Sequence, residues 1–151
     1  RRSMSEGRYR ALNTLLFIGT AFVVVVAVTL EPNPEGVGTH LQLGLGACIM
    51  LDHSTLPCPA CGWTTSFALV GDARLIDAMV NQPFGAFLAL ITIAVMVIAG
   101  SEAIKPRYSW SLLQARFKGR ETQGLGILFL VLFVSWAYKI VQKVIFLSSL
   151  P

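Results

Sequence analysis

The sequence predicts an all-α integral membrane protein with three transmembrane helices and short interfacial helices in an outward cap that contains the cysteines. Hydrophobic residues make up 54% of the 151 residues and charged residues only 13%, whereas about a quarter of the residues in an average globular domain are charged. Three apolar runs approach the roughly 20 residues that a helix needs to cross a bilayer. The length is that of one domain, so we predict a single membrane domain over residues 1–151.

We predict the membrane spans at about residues 11–30, 84–101 and 124–147. The first run contains no charged residue, and because no small-x-small cleavage site follows it, we interpret it as an uncleaved signal-anchor. Pro83 precedes the second run and suits the first turn of a helix, where its missing N–H needs no partner. The third run carries Lys139 and Lys143, which share one helix face and are expected to extend to the outer interface.

Basic residues are distributed asymmetrically about these runs. Arg1, Arg2, Arg8 and Arg10 precede the first span, five Lys or Arg residues lie in 102–123, and Arg74 is the one such residue in 31–83. Cytoplasmic loops are enriched in Lys and Arg, so we predict a cytoplasmic amino terminus, an inner loop at 102–123 and an outer cap at 31–83. The net charge of +4 reflects this asymmetry and indicates contact with anionic lipid headgroups. The sequence contains no basic recognition helix, so nucleic acid is not an expected partner.

The predicted cap combines turns with short helices. Residues 31–36 are turn formers, and the apolar segment 41–51 is too short to span, so we expect it to be interfacial or re-entrant. Residues 63–70 predict a short helix that ends at Gly71, with Asp72 capping an amphipathic helix that follows. On the inner side, residues 110–120 predict a second amphipathic helix with its basic residues at the lipid headgroups.

The residues best suited to chemistry form one short stretch of the cap, Cys58-Pro59-Ala60-Cys61-Gly62. Pro59 fixes a backbone angle between the two cysteines, and Gly62 allows a turn that other residues resist. Two thiols three positions apart can share a metal ion, close a disulfide or cycle between these states. This stretch is therefore the candidate site.

Three interpretations of the cysteines stay open. The first is a zinc or iron site, in which a cysteine knuckle supplies two of four tetrahedral ligands. Its candidate ligands are Cys48, His53, Cys58 and Cys61, with His40 and Asp52 as substitutes. The second is thiol–disulfide chemistry, which an outward-facing pair permits, although no thioredoxin-type strand–helix–strand pattern carries the pair. The third is a purely structural role, in which a disulfide or a buried thiol holds a turn against the helices.

A longer pattern around this stretch resembles a known family. Cys48 and the run Leu56-Pro57-Cys58-Pro59-Ala60-Cys61-Gly62-Trp63-Thr64-Thr65-Ser66-Phe67 are similar to the signature of a domain-of-unknown-function family of small bacterial membrane proteins, with a Cys…Cys-Pro-x-Cys-Gly-x-Thr pattern. The resemblance extends over about residues 36–100 through Gly38-Thr39-His40 and Asn81-Gln82-Pro83-Phe84-Gly85. It implies a membrane protein with a structured cysteine motif, and it brings no established activity. We predict that the protein lies in the bacterial inner membrane, with the cysteine motif on its outer face.

A bundle of three helices leaves little room for a substrate pocket or a translocation path. We therefore expect a non-catalytic accessory or assembly subunit of a larger membrane complex, or a homo-oligomer. Its expected partners are the lipid bilayer and other membrane-protein subunits or further copies of itself. The enzyme alternative is a membrane thiol–disulfide oxidoreductase or a metal-dependent site that uses Cys58 and Cys61. Transport is least favoured, because the first two spans contain few polar residues.

Overall fold

Helices make up all the regular structure in the part of the chain that the computed structural model describes, residues 5–54 and 56–148, as the sequence predicts. They are α1 (Glu6–Thr29), a 3₁₀ helix (Thr39–Leu43), α2 (Ile49–Ser54), α3 (Trp63–Gly71), α4 (Leu75–Asn81), α5 (Pro83–Ile104), α6 (Ser109–Phe117) and α7 (Glu121–Ser148). Arg1 and Arg2, which contribute to the predicted charge asymmetry, lie outside the described residues.

Three of these helices, α1, α5 and α7, are long and apolar enough to cross a membrane, which confirms the predicted number. Each extends beyond its apolar run: α1 begins at Glu6, α5 continues to Ile104, and α7 begins at Glu121. The extension of α5 takes in Glu102, a charged residue that the predicted boundary excludes. Hydrogen-bond donors satisfy this carboxylate, so it does not end the helix. The chain is a membrane protein.

Helix α5 lies at the centre of the packing. It packs most extensively on α1, then on α3 and α4, and least on α7. Gly85 permits the close approach of α3, because a Cβ at this position would lie 3.1 Å from the Cα of Trp63 and 3.2 Å from the Cβ of Ser66. A small core forms among α3, α4 and α5, and its buried members are Leu69, Val70, Ala78, Ala86 and Ala89.

The three long helices direct large apolar side chains outward. Phe22 on α1, Val97 on α5 and Phe129 on α7 are 69%, 61% and 59% exposed. A polar solvent would disfavour so much apolar surface, whereas the hydrocarbon core of a bilayer would not. The core of this protein is correspondingly small.

The cap between α1 and α5 follows the prediction in part. Helix α3 spans Trp63–Gly71, as predicted. The apolar segment at 41–51 is divided, because the 3₁₀ helix ends at Leu43, Gly44 adopts a φ of +72°, and α2 begins only at Ile49. Asp72 does not cap α4. Ala73 turns the chain with a φ of +59°, and Arg74 takes the N-cap position instead.

At the end of the bundle away from the cysteines, the buried Glu102 carboxylate connects three helices. Its donors are the Tyr9 hydroxyl at 3.0 Å, the backbone N–H groups of Arg107, Tyr108 and Ser109 at 2.8, 3.0 and 3.1 Å, and the Ser109 hydroxyl. Beside it, Trp110 Nε1 donates to Asn13 Oδ1 at 2.8 Å. These hydrogen bonds fix the start of α6 to both α1 and α5. No pattern in the sequence predicts this cluster.

Candidate metal centre

The Cys58–Gly62 stretch forms a tight turn that leads directly into α3. The backbone N–H of Cys61 donates to the Cys58 carbonyl at 2.9 Å, and the N–H of Trp63 donates to the Ala60 carbonyl at 3.1 Å. Gly62 is the N-cap of α3 and has a φ of +91°. In this left-handed conformation a Cβ is unfavourable, which explains the glycine. The turn predicted from the sequence is present.

Three cysteine sulfurs converge at this turn. Cys61 Sγ lies 3.2 Å from Cys58 Sγ and 3.5 Å from Cys48 Sγ, and all three sulfurs lie within 4.8 Å of one another. The N–H of Cys58 also donates to Cys61 Sγ at 3.1 Å. Cys61 is buried, Cys48 and Cys58 are half-buried, and all three are free thiols. Such a sulfur set suits zinc or ferrous iron.

Of the four predicted ligands, the structure brings the three cysteines together and leaves His53 apart. His53 is exposed and follows Cys48 by five positions, in a helix that begins at Ile49. Five residues of α-helix rotate a side chain by about 140° and raise it by about 7.5 Å, which turns His53 away from Cys48. His40 and Asp52 also lie outside the cluster. A tetrahedral ion held here would need its fourth ligand from elsewhere.

Hydrogen bonding and burial act in opposite directions on two of the thiols. The pKa of Cys48 is lowered, chiefly by a backbone hydrogen bond from Leu51 and further by the other two cysteines, although burial opposes the change. Burial raises the pKa of Cys61, and its hydrogen bonds with Cys58 and Cys48 raise this pKa further. Cys48 is thus the more easily ionised of the two. A bound cation would favour the ionised form of both.

Asn81 and Gln82, at the junction of α4 and α5, hold the cysteine turn in place. Asn81 Nδ2 donates to the Gly62 carbonyl at 3.1 Å, and Gln82 Nε2 donates to the Pro59 carbonyl at 3.3 Å. The Oε1 of Gln82 accepts from the Gly85 N–H at 3.1 Å, which caps the start of α5. The same dipeptide therefore supports the turn and begins the second candidate membrane helix.

Helix α7 reaches this region through polar side chains. Ser135 Oγ donates to Gln82 Oε1 at 2.7 Å, and Trp136 Nε1 donates to the Pro57 carbonyl at 2.8 Å. Both acceptors belong to the segments that form or support the cysteine turn. Because α7 packs little on α5, polar side chains provide much of its attachment, and Tyr138 and Gln142 add hydrogen bonds to the Val80 carbonyl at 2.9 and 2.7 Å.

The Lys139 side chain is directed to the cap and is buried there. Its side chain is only 7% exposed. The ammonium donates to the Gly36 carbonyl at 3.2 Å, to the Asn81 carbonyl at 3.1 Å and to Asn81 Oδ1 at 2.7 Å. The position of Lys139 along α7 could not reveal that two cap segments supply three acceptors for its ammonium.

A cleft of about 630 Å³ lies beside the cap, and its lining includes Arg74, Asn81, Lys139 and Lys143. None of the three cysteines lines this cleft. The sulfur cluster is therefore not arranged around this cavity.

The fold and the site define the class of this protein. It is an all-α membrane protein with a cluster of three cysteines between its first two candidate spans. In this chain, residues 48–96 match the family model described as "Protein of unknown function (DUF2752)". The matched segment is about a third of the chain and contains all three cysteines. It confirms the resemblance to an uncharacterised family. Comparisons with curated proteins and with solved structures gave no match.

Sequence reasoning identified the three cysteines and missed the polar residues that hold their turn. Asn81 and Gln82 precede Pro83 at the start of a predicted span, a pattern that indicates capping, but the contact of Gln82 with Pro59 joins positions 23 residues apart. Ser135 and Lys139 lie four residues apart on a largely apolar helix. Polar residues at that spacing share one face, which was an available signal for a buried contact.

Proposed function

We propose that this protein is a small, non-catalytic accessory or assembly subunit of a bacterial inner-membrane complex. In this proposal, Cys48, Cys58 and Cys61 hold a zinc or iron ion that fixes the cap on the membrane helices. The observation that carries the proposal is the convergence of three free cysteine sulfurs within 4.8 Å of one another.

The number and origin of the cysteines favour a metal ion over a disulfide. A disulfide would join two sulfurs and leave the third as a reactive neighbour, whereas one ion engages all three. Cys48 and Cys61 lie 13 positions apart and belong to different cap segments. An ion shared between them would therefore close a loop and stabilise the cap.

The accessory role is supported by the surface of α7. Leu130 and Phe133 on this helix are 63% and 59% exposed, on a helix that contacts the rest of the bundle mainly near the cap. Apolar helix surfaces of this kind suit packing against lipid or against a neighbouring membrane helix. A subunit that supplied such a surface would not need a substrate site of its own.

Metal analysis tests the cysteine centre. Wild-type protein, purified without chelators under reducing conditions, is expected to contain about one zinc or iron ion per chain by elemental analysis. Cys61→Ser should remove nearly all of this metal, because it deletes the sulfur that lies next to both others. His53→Ala is the matched control and should retain the metal, since His53 lies outside the cluster.

Two results would contradict this centre. Wild-type protein without metal would do so, and so would equal metal content in wild type and Cys61→Ser. A metal-free protein with a stable disulfide between Cys58 and Cys61, detected by intact mass, would instead support the thiol–disulfide alternative, which the 3.2 Å separation of their sulfurs permits. In that reaction, the two thiols would become a disulfide while a disulfide of a substrate protein became two thiols.

We further propose that the amino terminus is cytoplasmic and that the cysteine cap lies on the outer face. Arg8 and Arg10 belong to the first turns of α1, and Lys105 and Arg107 follow α5 at the same end of the bundle, away from the cap. This distribution of basic residues supports the proposed orientation through the positive-inside tendency of membrane proteins.

Reporter cysteines test the orientation. In intact cells, a membrane-impermeant thiol reagent should label Glu35→Cys, which is exposed in the cap, above the wild-type background. Arg116→Cys, exposed on α6, should be labelled only after the cells are opened. The reverse pattern would show that the cap faces the cytoplasm.

A further inference from the structure

Lys139 is a buried cation for which none of the described residues supplies a carboxylate partner. Its side chain is 7% exposed, and its three hydrogen bonds go to two carbonyl oxygens and one amide oxygen, all of them neutral. The ion pairs among the described residues are Arg10–Glu6 and Arg74–Asp77. Burying a charge without an opposite charge is unfavourable, so an anion near Lys139 would stabilise it.

With its thiols ionised around a metal, the cysteine centre is a source of negative charge beside Lys139. A Cβ placed on Gly62 would lie 3.3 Å from the Cε of Lys139, so the lysine side chain packs directly against the residue that follows Cys61. Asn81 connects the two, since it accepts from the Lys139 ammonium at 2.7 Å and donates to the Gly62 carbonyl at 3.1 Å.

The charge of the occupied centre matches this arrangement. Three thiolates around a divalent ion leave one net negative charge, and a single ammonium cancels it. With a monovalent ion, two negative charges would face the same ammonium and the site would remain charged. Since the interaction of two charges is strong in a poorly solvated site, loss of the ammonium would weaken the binding of either ion, and that of the monovalent ion more.

We propose that Lys139 is the built-in counter-ion of the cysteine centre, and that its ammonium cancels the negative charge left by three thiolates around a divalent ion. This inference rests on the proposed metal centre. It states that a residue of α7 balances the charge of that centre. Lys139 is not one of the proposed ligands and would act on the centre through its charge. The hydrogen bonds to Gly36 and Asn81 hold the ammonium in place.

Lys139→Met tests the proposal, because it removes the charge and keeps an unbranched side chain. The zinc affinity of purified protein, measured by competition with a chromophoric chelator, should fall by about 10- to 100-fold, as is usual when an outer partner of a metal site is lost. Lys143→Met, one helical turn further along α7, should leave zinc affinity within about 3-fold of wild type, since Gly62 packs against Lys139.

A structural effect of the substitution can be separated from an electrostatic one. Asn81→Ala removes a hydrogen-bond partner of Lys139 and of the cysteine turn while leaving the ammonium present. It should weaken zinc binding less than Lys139→Met does. Affinity for Cu⁺, measured anaerobically, should fall more than affinity for Zn²⁺ in Lys139→Met, because the Cu⁺ centre carries the larger negative charge. Loosening of the cap would instead lower the affinity for both ions by the same factor.

The possible failures point to different conclusions. Unchanged zinc affinity in Lys139→Met would overturn the counter-ion role and leave the metal centre standing. The counter-ion role would also be wrong if Asn81→Ala lost as much affinity, or if the binding of Zn²⁺ and Cu⁺ were weakened equally. A wild-type protein that binds neither ion would overturn the metal centre itself, and the counter-ion with it.

Discussion

Gly62→Ala is expected to lower the free energy of unfolding by about 2–5 kcal/mol and to reduce the metal content of the protein. Gly62 has a φ of +91°, and its Cβ would lie 2.9 Å from the Gly36 carbonyl oxygen. It would also lie 3.3 Å from Asn81 Nδ2 and from the Cε of Lys139. The new methyl group would therefore press on three segments at once, directly beside the cysteine turn. Thermal unfolding in detergent and elemental analysis measure the two effects.

Gly44→Ala is the matched control for backbone conformation alone. Gly44 has a φ of +72°, but no atom lies within 4 Å of the position that its Cβ would occupy. Gly44→Ala should therefore lower the free energy of unfolding only by the cost of the backbone conformation, roughly 1–2 kcal/mol. Its metal content should equal that of the wild type. If the two variants were equally stable, the close contact at Gly62 would not matter.

Glu102→Ala is expected to produce the second large effect, at the opposite end of the bundle. It removes the acceptor for three backbone N–H groups, at 2.8 to 3.1 Å, and for the hydroxyls of Tyr9 and Ser109. Buried donors without an acceptor are strongly unfavourable, so the melting temperature in detergent should fall by roughly 10 °C or more. Metal content should change little, because the cysteines lie at the other end of α5.

Two further variants test this expectation for Glu102→Ala. Glu102→Gln keeps the shape and one acceptor oxygen, so its melting temperature should fall less than that of Glu102→Ala. Glu6→Gln removes an exposed carboxylate, which pairs with Arg10 across one helical turn, and should be almost neutral. A melting temperature for Glu102→Ala as high as that of Glu6→Gln would mean that water replaces the carboxylate without loss.

The helical architecture is predictable from the sequence because membrane helices are specified by length and hydropathy. Three apolar runs are sufficient to indicate α1, α5 and α7, and Gly71 correctly marks the end of α3. Helix ends are less predictable where a charged residue continues the helix. Glu102 does so only because Tyr9 and the chain after α5 supply its donors, and neither contact is visible from local sequence.

The candidate site is predictable in its sulfur atoms and not in its surroundings. Short sequence spacing brings Cys58 and Cys61 together, and Cys48 joins them through the fold. The spacing also suggests His53, but the helix that begins directly after Cys48 turns it away. The burial of Lys139 is likewise not predictable from local sequence. Its burial depends on Gly36, which is 103 positions away along the chain.

The attachment of α7 has a consequence for biosynthesis. Its acceptors, including Pro57, Gly36 and Gln82, all lie on segments synthesised before it, and they occupy their positions only when the cap is folded. We therefore expect α1 and α5 to pair first as a helical hairpin, since they share the most extensive contact. Helix α7 would then dock last, once the cysteine turn has formed. In this order of assembly, a cap that fails to fold would leave the third helix without its acceptors.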